Sequence, residues 1–130
     1  MLKELRILKN HGLQFVKNLR TQPVADLFRG RPLIADDITK EEISRISSLC
    51  PLSAIDPATG SIDLGRCSFC RECEFALPGK IRFTNDYRIA ANRREALIIS
   101  PGSIGPLRLD AYLIRKEVRD TFRGSLKLRQ

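Results

Sequence analysis

The four cysteines are the feature that most constrains this chain, because all of them fall within a stretch of 24 residues. Three form the run Cys67-Ser-Phe-Cys70-Arg-Glu-Cys73, and Cys50 lies seventeen positions before that run, directly ahead of a proline. A C-x2-C-x2-C loop can wrap its backbone around a small metal body and present three thiolates to it. The fourth thiolate must then come from another part of the chain.

The proline after Cys50 indicates where the fourth thiolate comes from. In two-cluster ferredoxins the motif C-x2-C-x2-C-x3-C-P gives its fourth cysteine to the other cluster. Cys50 occupies the place of such a fourth cysteine, and we therefore expect it to join the later run. The sequence predicts one [4Fe–4S] cluster bound by Cys50, Cys67, Cys70 and Cys73.

The ligands of a second cluster are missing from the same pattern. Counting back from Cys50 and forward from Cys73 places non-ligand residues at all four positions, namely Lys40, Ile43, Ile46 and Leu77. We expect Ile43, Ile46 and Leu77 to fill the vacated site together as a small apolar plug, each contributing roughly 1.5–3 kcal/mol by burial.

Other interpretations of the cysteines remain open. Structural zinc usually takes two separated C-x2-C pairs, and a basic zinc module could contact nucleic acid. Such a module would need a basic stripe with base-reading residues beside the metal, and none stands out, so we expect no nucleic-acid partner. The cluster could also be purely structural in an assembly protein. Arg66 and Arg71 either raise the cluster potential or are solvated surface residues.

Length and composition limit the remaining classes. The 130 residues suit one domain, and the net charge of +8 favours an acidic partner such as nucleic acid, an anionic membrane surface or an acidic protein. The N-terminus lacks the pattern of a signal peptide, and no apolar run approaches the roughly 20 residues of a spanning helix. We therefore expect a cytoplasmic protein with reduced thiols. No catalytic set of residues is present, and the single histidine, His11, is expected at the surface.

Hydrophobic periodicity and the prolines and glycines between periodic segments divide the chain into three parts. Residues 1–31 are predicted to form an amphipathic helix and linker, and residues 32–100 a single-cluster domain. Residues 101–130 are predicted to form a C-terminal helical extension. The first helix is predicted over residues 2–20, with an apolar face of Leu2, Leu5, Leu8, Phe15, Val16 and Leu19. That face packs either on protein or on a membrane surface.

Further elements are predicted inside and after the central part. A short strand is expected at residues 33–35, and a helix with a capping box at Thr39 and Glu42 is expected to run towards Ser48. A hairpin around residues 55–62 and a strand at residues 81–83, with a partner near residues 88–90, follow. The spacing of Leu107, Ala111, Ile114, Val118 and Phe122 predicts a C-terminal helix.

Residues 27–98 resemble a known family, the polyferredoxin-type iron–sulfur subunit of formate-hydrogenlyase-like, membrane-bound [NiFe] hydrogenases, which is related to an iron–sulfur subunit of respiratory complex I. The matching segments are residues 28–32 (FRGRP), 50–55 (CPLSAI), 58–60 (ATG) and 64–73 (LGRCSFCREC). Members usually carry two clusters. This chain departs from them by losing one ligand set and by a spacing one residue short after Leu77.

The resemblance implies an α+β fold with a bacterial [4Fe–4S] ferredoxin-like core of two short β-hairpins, flanked by N- and C-terminal helices. It implies an electron-transfer subunit or domain of an oxidoreductase complex, with a hydrogenase or complex I-like small subunit and membrane-arm proteins as partners. The location implied is the cytoplasmic face of the membrane, with peripheral contact through the N-terminal helix. Residues 122–130 resemble the start of such a small subunit, which suggests a fused or longer polypeptide.

Overall fold

The computed structural model describes residues 2–11, 18, 21–107 and 109–123. Within these residues the chain forms four α-helices, four short β-strands and one turn of 3-10 helix. In chain order they are α1 (Leu2–His11), β1 (Pro32–Ile34), α2 (Lys40–Leu49), β2 (Ile62–Asp63), α3 (Glu72–Ala76), β3 (Ile81–Phe83), the 3-10 helix (Arg94–Leu97), β4 (Ile98–Ile99) and α4 (Ala111–Phe122).

The strands pair into two small antiparallel sheets. β1 pairs with β3, and β2 pairs with β4. A further antiparallel bridge joins Ile55 to Ile62, which confirms the predicted hairpin at this place. Its turn is held by the Asp56 carboxylate, which accepts hydrogen bonds from the backbone N–H groups of Ala58 and Thr59. The mixed class of helices with antiparallel strands is thus confirmed.

The predicted partner of β3 near residues 88–90 is wrong, because β3 pairs with β1 from the start of the central part. The segment before β1 also bonds to the segment after β3. The carbonyl oxygens of Thr84 and Asp86 accept hydrogen bonds from the N–H groups of Gly30 and Arg31, at 2.7 and 2.9 Å. A Cβ atom on Gly30 would lie 2.1 Å from the Asp86 oxygen, so this close approach requires glycine.

Helix α2 begins and ends where the sequence predicts. The Thr39 hydroxyl accepts a hydrogen bond from the Glu42 N–H, and the Glu42 carboxylate accepts one from the Thr39 N–H, which completes the capping box. Cys50 is the C-cap residue, and Pro51 cannot continue the helix. The helix buries Ile43 and Ile46 on one face.

The core is built almost entirely from isoleucine and leucine, as expected for a chain without tryptophan. Ile46, Ile62, Ile81 and Ile99 are each at most 1% exposed. The cluster that joins both sheets to α2 contains Ile34, Ile46, Ile55, Ile62, Leu64, Leu77, Ile81, Phe83 and Ile99.

The N-terminal helix α1 ends earlier than predicted. Asn18 is not helical, because a turn closes there with the Thr21 N–H donating to the Asn18 carbonyl ahead of Pro23. Most of the predicted second half, with Phe15, Val16 and Leu19, lies outside the described residues, as does the side chain of His11. On the described part, Leu5 and Ile7 are exposed.

The C-terminal helix α4 is present at the predicted place, although Leu107 precedes it. Asp110 caps it by accepting hydrogen bonds from the N–H groups of Tyr112 and Leu113. No side chain of α4 is buried, and its apolar residues Ile114 and Phe122 are exposed. None of the helices within the described ranges has the length and apolar character needed to cross a membrane.

Candidate metal centre

The four cysteines line one small, partly open cavity. Cys50 reaches it from the end of α2, Cys67 and Cys70 from the loop after β2, and Cys73 from within α3. All four are free thiols and each is partly buried. The residue before the proline and the later run, although far apart in sequence, are therefore brought to one place.

The rest of the cavity wall is mainly apolar. Ile46, Ala54, Ile55, Ile62 and Phe83 contribute side chains to it, and all five are buried. The polar contributions come from the cysteine loop itself, through Ser68, Arg71 and Glu72. A wall of this kind keeps water away from whatever the thiols bind.

The backbone of the cysteine loop adopts an uncommon conformation on both sides of Cys70. Phe69 and Arg71 have φ angles of 56° and 71°, in the left-handed region that non-glycine residues seldom occupy. Such a conformation costs about 1–3 kcal/mol per residue and persists only where the surroundings impose it.

The surroundings of the loop account for both left-handed residues. The Phe69 ring packs edge-on against Phe83 with centroids 5.9 Å apart, and its carbonyl accepts a hydrogen bond from Arg29 at 3.1 Å. The Arg71 Nε donates to the Glu74 carboxylate at 2.5 Å. These contacts fix the residues on both sides of Cys70, which lines the cavity.

Backbone N–H groups point at the sulfurs. The Ala54 N–H donates to the Cys50 Sγ and the Phe69 N–H donates to the Cys67 Sγ, each at 3.3 Å. Burial raises the pKa of the Cys73 thiol, and a hydrogen bond from the Glu74 backbone N–H offsets a part of that rise. Hydrogen bonds to a thiolate stabilise its negative charge, and hydrogen bonds to the sulfurs are one of the factors that set the potential of iron–sulfur sites.

Burial works in the opposite direction on two of the thiols. Removal from water raises the pKa of Cys73 to about 11, and the neighbouring Cys67 and Cys70 sulfurs add to that shift. Burial also raises the pKa of Cys67, to which Cys70 and Cys50 contribute. Cys67 and Cys73 therefore need a positive centre nearby to ionise near neutral pH.

The arrangement of donors bears on what they can hold. Within the described ranges, no group of three or more His, Cys, Asp or Glu side chains is placed to hold a metal ion. Four sulfurs on one zinc ion would lie within about 4 Å of each other, since each Zn–S distance is about 2.3 Å. A [4Fe–4S] cluster is a larger body than one zinc ion, and four thiolates are its complete set of protein ligands.

The residues at the positions of the missing ligand set do not all pack in one place. Ile46 and Leu77 belong to the same core cluster. Ile43 is buried outside that cluster, against Gly60, where a Cβ would meet it at 2.9 Å. The predicted three-residue plug is therefore wrong for Ile43. Because Lys40, Ile43 and Ile46 all lie in α2, whose N–H groups bond along the helix, this segment cannot wrap a cluster.

The two arginines beside the ligands have different environments. Arg71 lines the cavity, pairs with Glu74 and lies over the Phe75 ring at 5.3 Å from its centroid. Arg66 is exposed and does not line the cavity. Sequence reasoning missed Glu74 and Phe75, although the spacing of Arg71 and Glu74 by three residues is a signal for such a pair.

Comparison with protein-family models and with curated proteins finds no match to this chain.

Proposed function

We propose that this chain is an electron-transfer protein that carries one [4Fe–4S] cluster on Cys50, Cys67, Cys70 and Cys73. The observation that carries the proposal is the convergence of these four thiols, from segments on either side of β2, on one small cavity with a mainly apolar wall. When bound, a cluster of this type accepts and releases one electron without a change in its protein ligands.

The residues of the chain support such a role in three ways. The thiols hold the metal, the apolar wall around Ile46 and Phe83 limits water, and the N–H groups of Ala54 and Phe69 stabilise negative charge on the sulfurs. No proton needs to move and no side chain acts as acid or base.

We propose that the central part of the chain, residues 32–100, has a ferredoxin-like core. The support is its strand pairing. β1 pairs with β3, and the Ile55–Ile62 bridge closes a hairpin in the stretch of sequence between these two strands. The first half of the duplicated ferredoxin pattern is then represented by α2, which occupies the place of a cluster-binding loop. The terminal segments, residues 1–31 and 101–130, are additions to this core.

A membrane-associated assembly that resembles [NiFe] hydrogenases or complex I is the setting that we propose for the electron transfer. The uncovered apolar side chains on α1 (Leu5, Ile7) and α4 (Ile114, Phe122) support contact with partner subunits or, for α1, with the cytoplasmic face of a membrane. The same faces would suit an assembly role, in which the cluster is structural.

The proposal is tested by producing the chain without oxygen and analysing its metal. We expect about four iron and four sulfide per chain, a brown colour, and an electron paramagnetic resonance signal after reduction with dithionite. A colourless protein with about one zinc per chain would instead support the zinc-binding alternative.

Single substitutions test the assignment of the ligands. Cys50→Ala is expected to lower the iron content from about four to three or fewer per chain, because the cavity then lacks one thiolate. Ser68→Ala, in the same loop and lining the same cavity, is the matched control and should keep the full iron content. Unchanged iron content and spectra in Cys50→Ala would contradict the role of this residue.

A further inference from the structure

A second, wider groove lies beside the metal-binding cavity, with a volume of about 670 Å³. Its floor is the β1–β3 sheet, where Leu33 lies opposite Arg82, and its wall is formed by α3 and the turn at residues 78–80. Arg71 lines both this groove and the cysteine cavity. A molecule bound in the groove therefore lies next to the thiols.

The groove is positively charged. Its lining includes three cations, Arg71, Lys80 and Arg82, against one acid, Glu74. Arg71 is paired with Glu74, and Lys80 is paired with Asp37 outside the groove, yet their side chains remain about a third exposed, at 32% and 28%. Arg82 is exposed on the outer face of β3. The cations are thus available to a negative surface.

An aromatic side chain stands at the wall of the same groove. Phe75 is 64% exposed although it lies only two residues after Cys73, and the Arg71 guanidinium lies over its ring. Exposed aromatic and arginine side chains are enriched in protein–protein interfaces, where they dominate the binding energy. The groove therefore combines an apolar anchor with a positive rim.

We propose that this groove docks an acidic electron-transfer protein that exchanges one electron with the cluster; the inference rests on the proposed function. The reduced partner loses one electron, the oxidised cluster gains it, and no bond forms or breaks. Positive charge around the groove steers a negative partner to it. The exposed Phe75 beside Arg71 suits a folded protein face, because aromatic and arginine side chains are the usual anchors of protein interfaces.

The docking surface is tested with reduced flavodoxin, an acidic flavin protein, as the probe. Binding of the cluster-loaded full chain is measured by calorimetry at low ionic strength, and the second-order rate of electron transfer is measured beside it. Arg82→Glu is expected to weaken binding and slow the transfer by about tenfold or more, because it places a like charge in the contact.

Two further variants separate the effect of charge in the groove from the effects of net charge and of apolar contact. Arg45→Glu, which makes the same charge change at an exposed site on α2 outside the groove, should alter binding by less than about twofold. Phe75→Ala should weaken binding while leaving the dependence on ionic strength unchanged, since it removes no charge. An equal loss in Arg45→Glu and Arg82→Glu would overturn the proposal, because net charge alone would then explain the binding.

The outcomes also separate this inference from the proposed function. A wild-type chain that holds no cluster reducible by dithionite contradicts the proposed function. A loaded chain that does not bind flavodoxin, or whose Arg82→Glu variant binds it unchanged, contradicts only the docking site. Binding of duplex DNA or phosphatidylglycerol vesicles that depends on Arg82, without binding of flavodoxin, would assign the groove to another class of partner.

Discussion

Asp63 connects the cysteine loop to the second sheet through both its backbone and its side chain. Its carbonyl accepts hydrogen bonds from the N–H groups of Arg66 and Cys67, and its carboxylate accepts one from the Gly65 N–H at 2.9 Å. The carboxylate also binds both terminal nitrogens of Arg94. This hydrogen-bonded guanidinium holds the pKa of Asp63 below its usual value of 3.8.

The lowered pKa predicts how Asp63→Asn changes the pH dependence of stability. Because the folded state favours the ionised carboxylate, the stabilisation by Asp63 is present above the unfolded pKa of 3.8 and is lost as the pH falls through the lower folded pKa. The difference in unfolding free energy between the wild type and Asp63→Asn should therefore be positive near neutral pH and shrink below about pH 4.

Urea unfolding over a range of pH measures this difference. Asp26→Asn, at an exposed position in the linker before β1, serves as the control and should differ from the wild type by a nearly constant amount. A pH-independent difference for Asp63→Asn would show that its carboxylate is not coupled to the fold.

At the scale of single elements, α2 offers the clearest test, because its start is fixed by two reciprocal hydrogen bonds. Thr39→Ala removes the hydroxyl that accepts the Glu42 N–H and should lower the free energy of unfolding by about 1 kcal/mol. Ser44→Ala, at an exposed site within the same helix, should change it by less than about 0.5 kcal/mol. Chemical denaturation of the two variants gives both values, and equal effects would show that the cap does not stabilise the helix.

Elements with local signals could be predicted from the sequence, and elements fixed by distant contacts could not. The capping box at Thr39 and the proline after Cys50 define α2 within a few residues of each end. The pairing of β3 with β1 adjoins the close approach of Gly30 to the Asp86 carbonyl, a contact between residues far apart in the sequence. Helix α3 has five residues, too few to show a periodicity, and it packs against α2 and β3.

The candidate site was more predictable than the sheets, because ligand spacing is a chemical constraint on the chain. The proline after Cys50 indicated that this thiol joins the later run, and all four line one cavity. The fate of Ile43 was not predictable in the same way. The spacing shows that Ile43 stands at a position where a ligand is absent. Its packing against Gly60 becomes visible only in the structure.

For the whole molecule, we expect removal of the proposed cluster to destabilise the fold. Burial raises the pKa values of Cys67 and Cys73, so without a cluster these two thiols stay protonated and the bonds between metal and thiolate are lost. Treatment of the loaded chain with a chelator and an oxidant should lower its melting temperature by on the order of 10 °C.

Differential scanning calorimetry before and after this treatment measures the change in melting temperature. Reconstitution of the cluster should restore the original value. A melting temperature that does not change would mean that the metal contributes nothing to folding. Cys50→Ala, left untreated, should melt between the two states.

The β1–β3 pairing joins residues 32–34 to residues 81–83, and every cysteine lies in the stretch that it encloses. Contacts between such distant residues form late, because a long loop must close before they can be made. If the chain carries the proposed cluster, iron and sulfide would enter most readily while these two ends are still apart. Metal loading would then precede the pairing of β1 with β3.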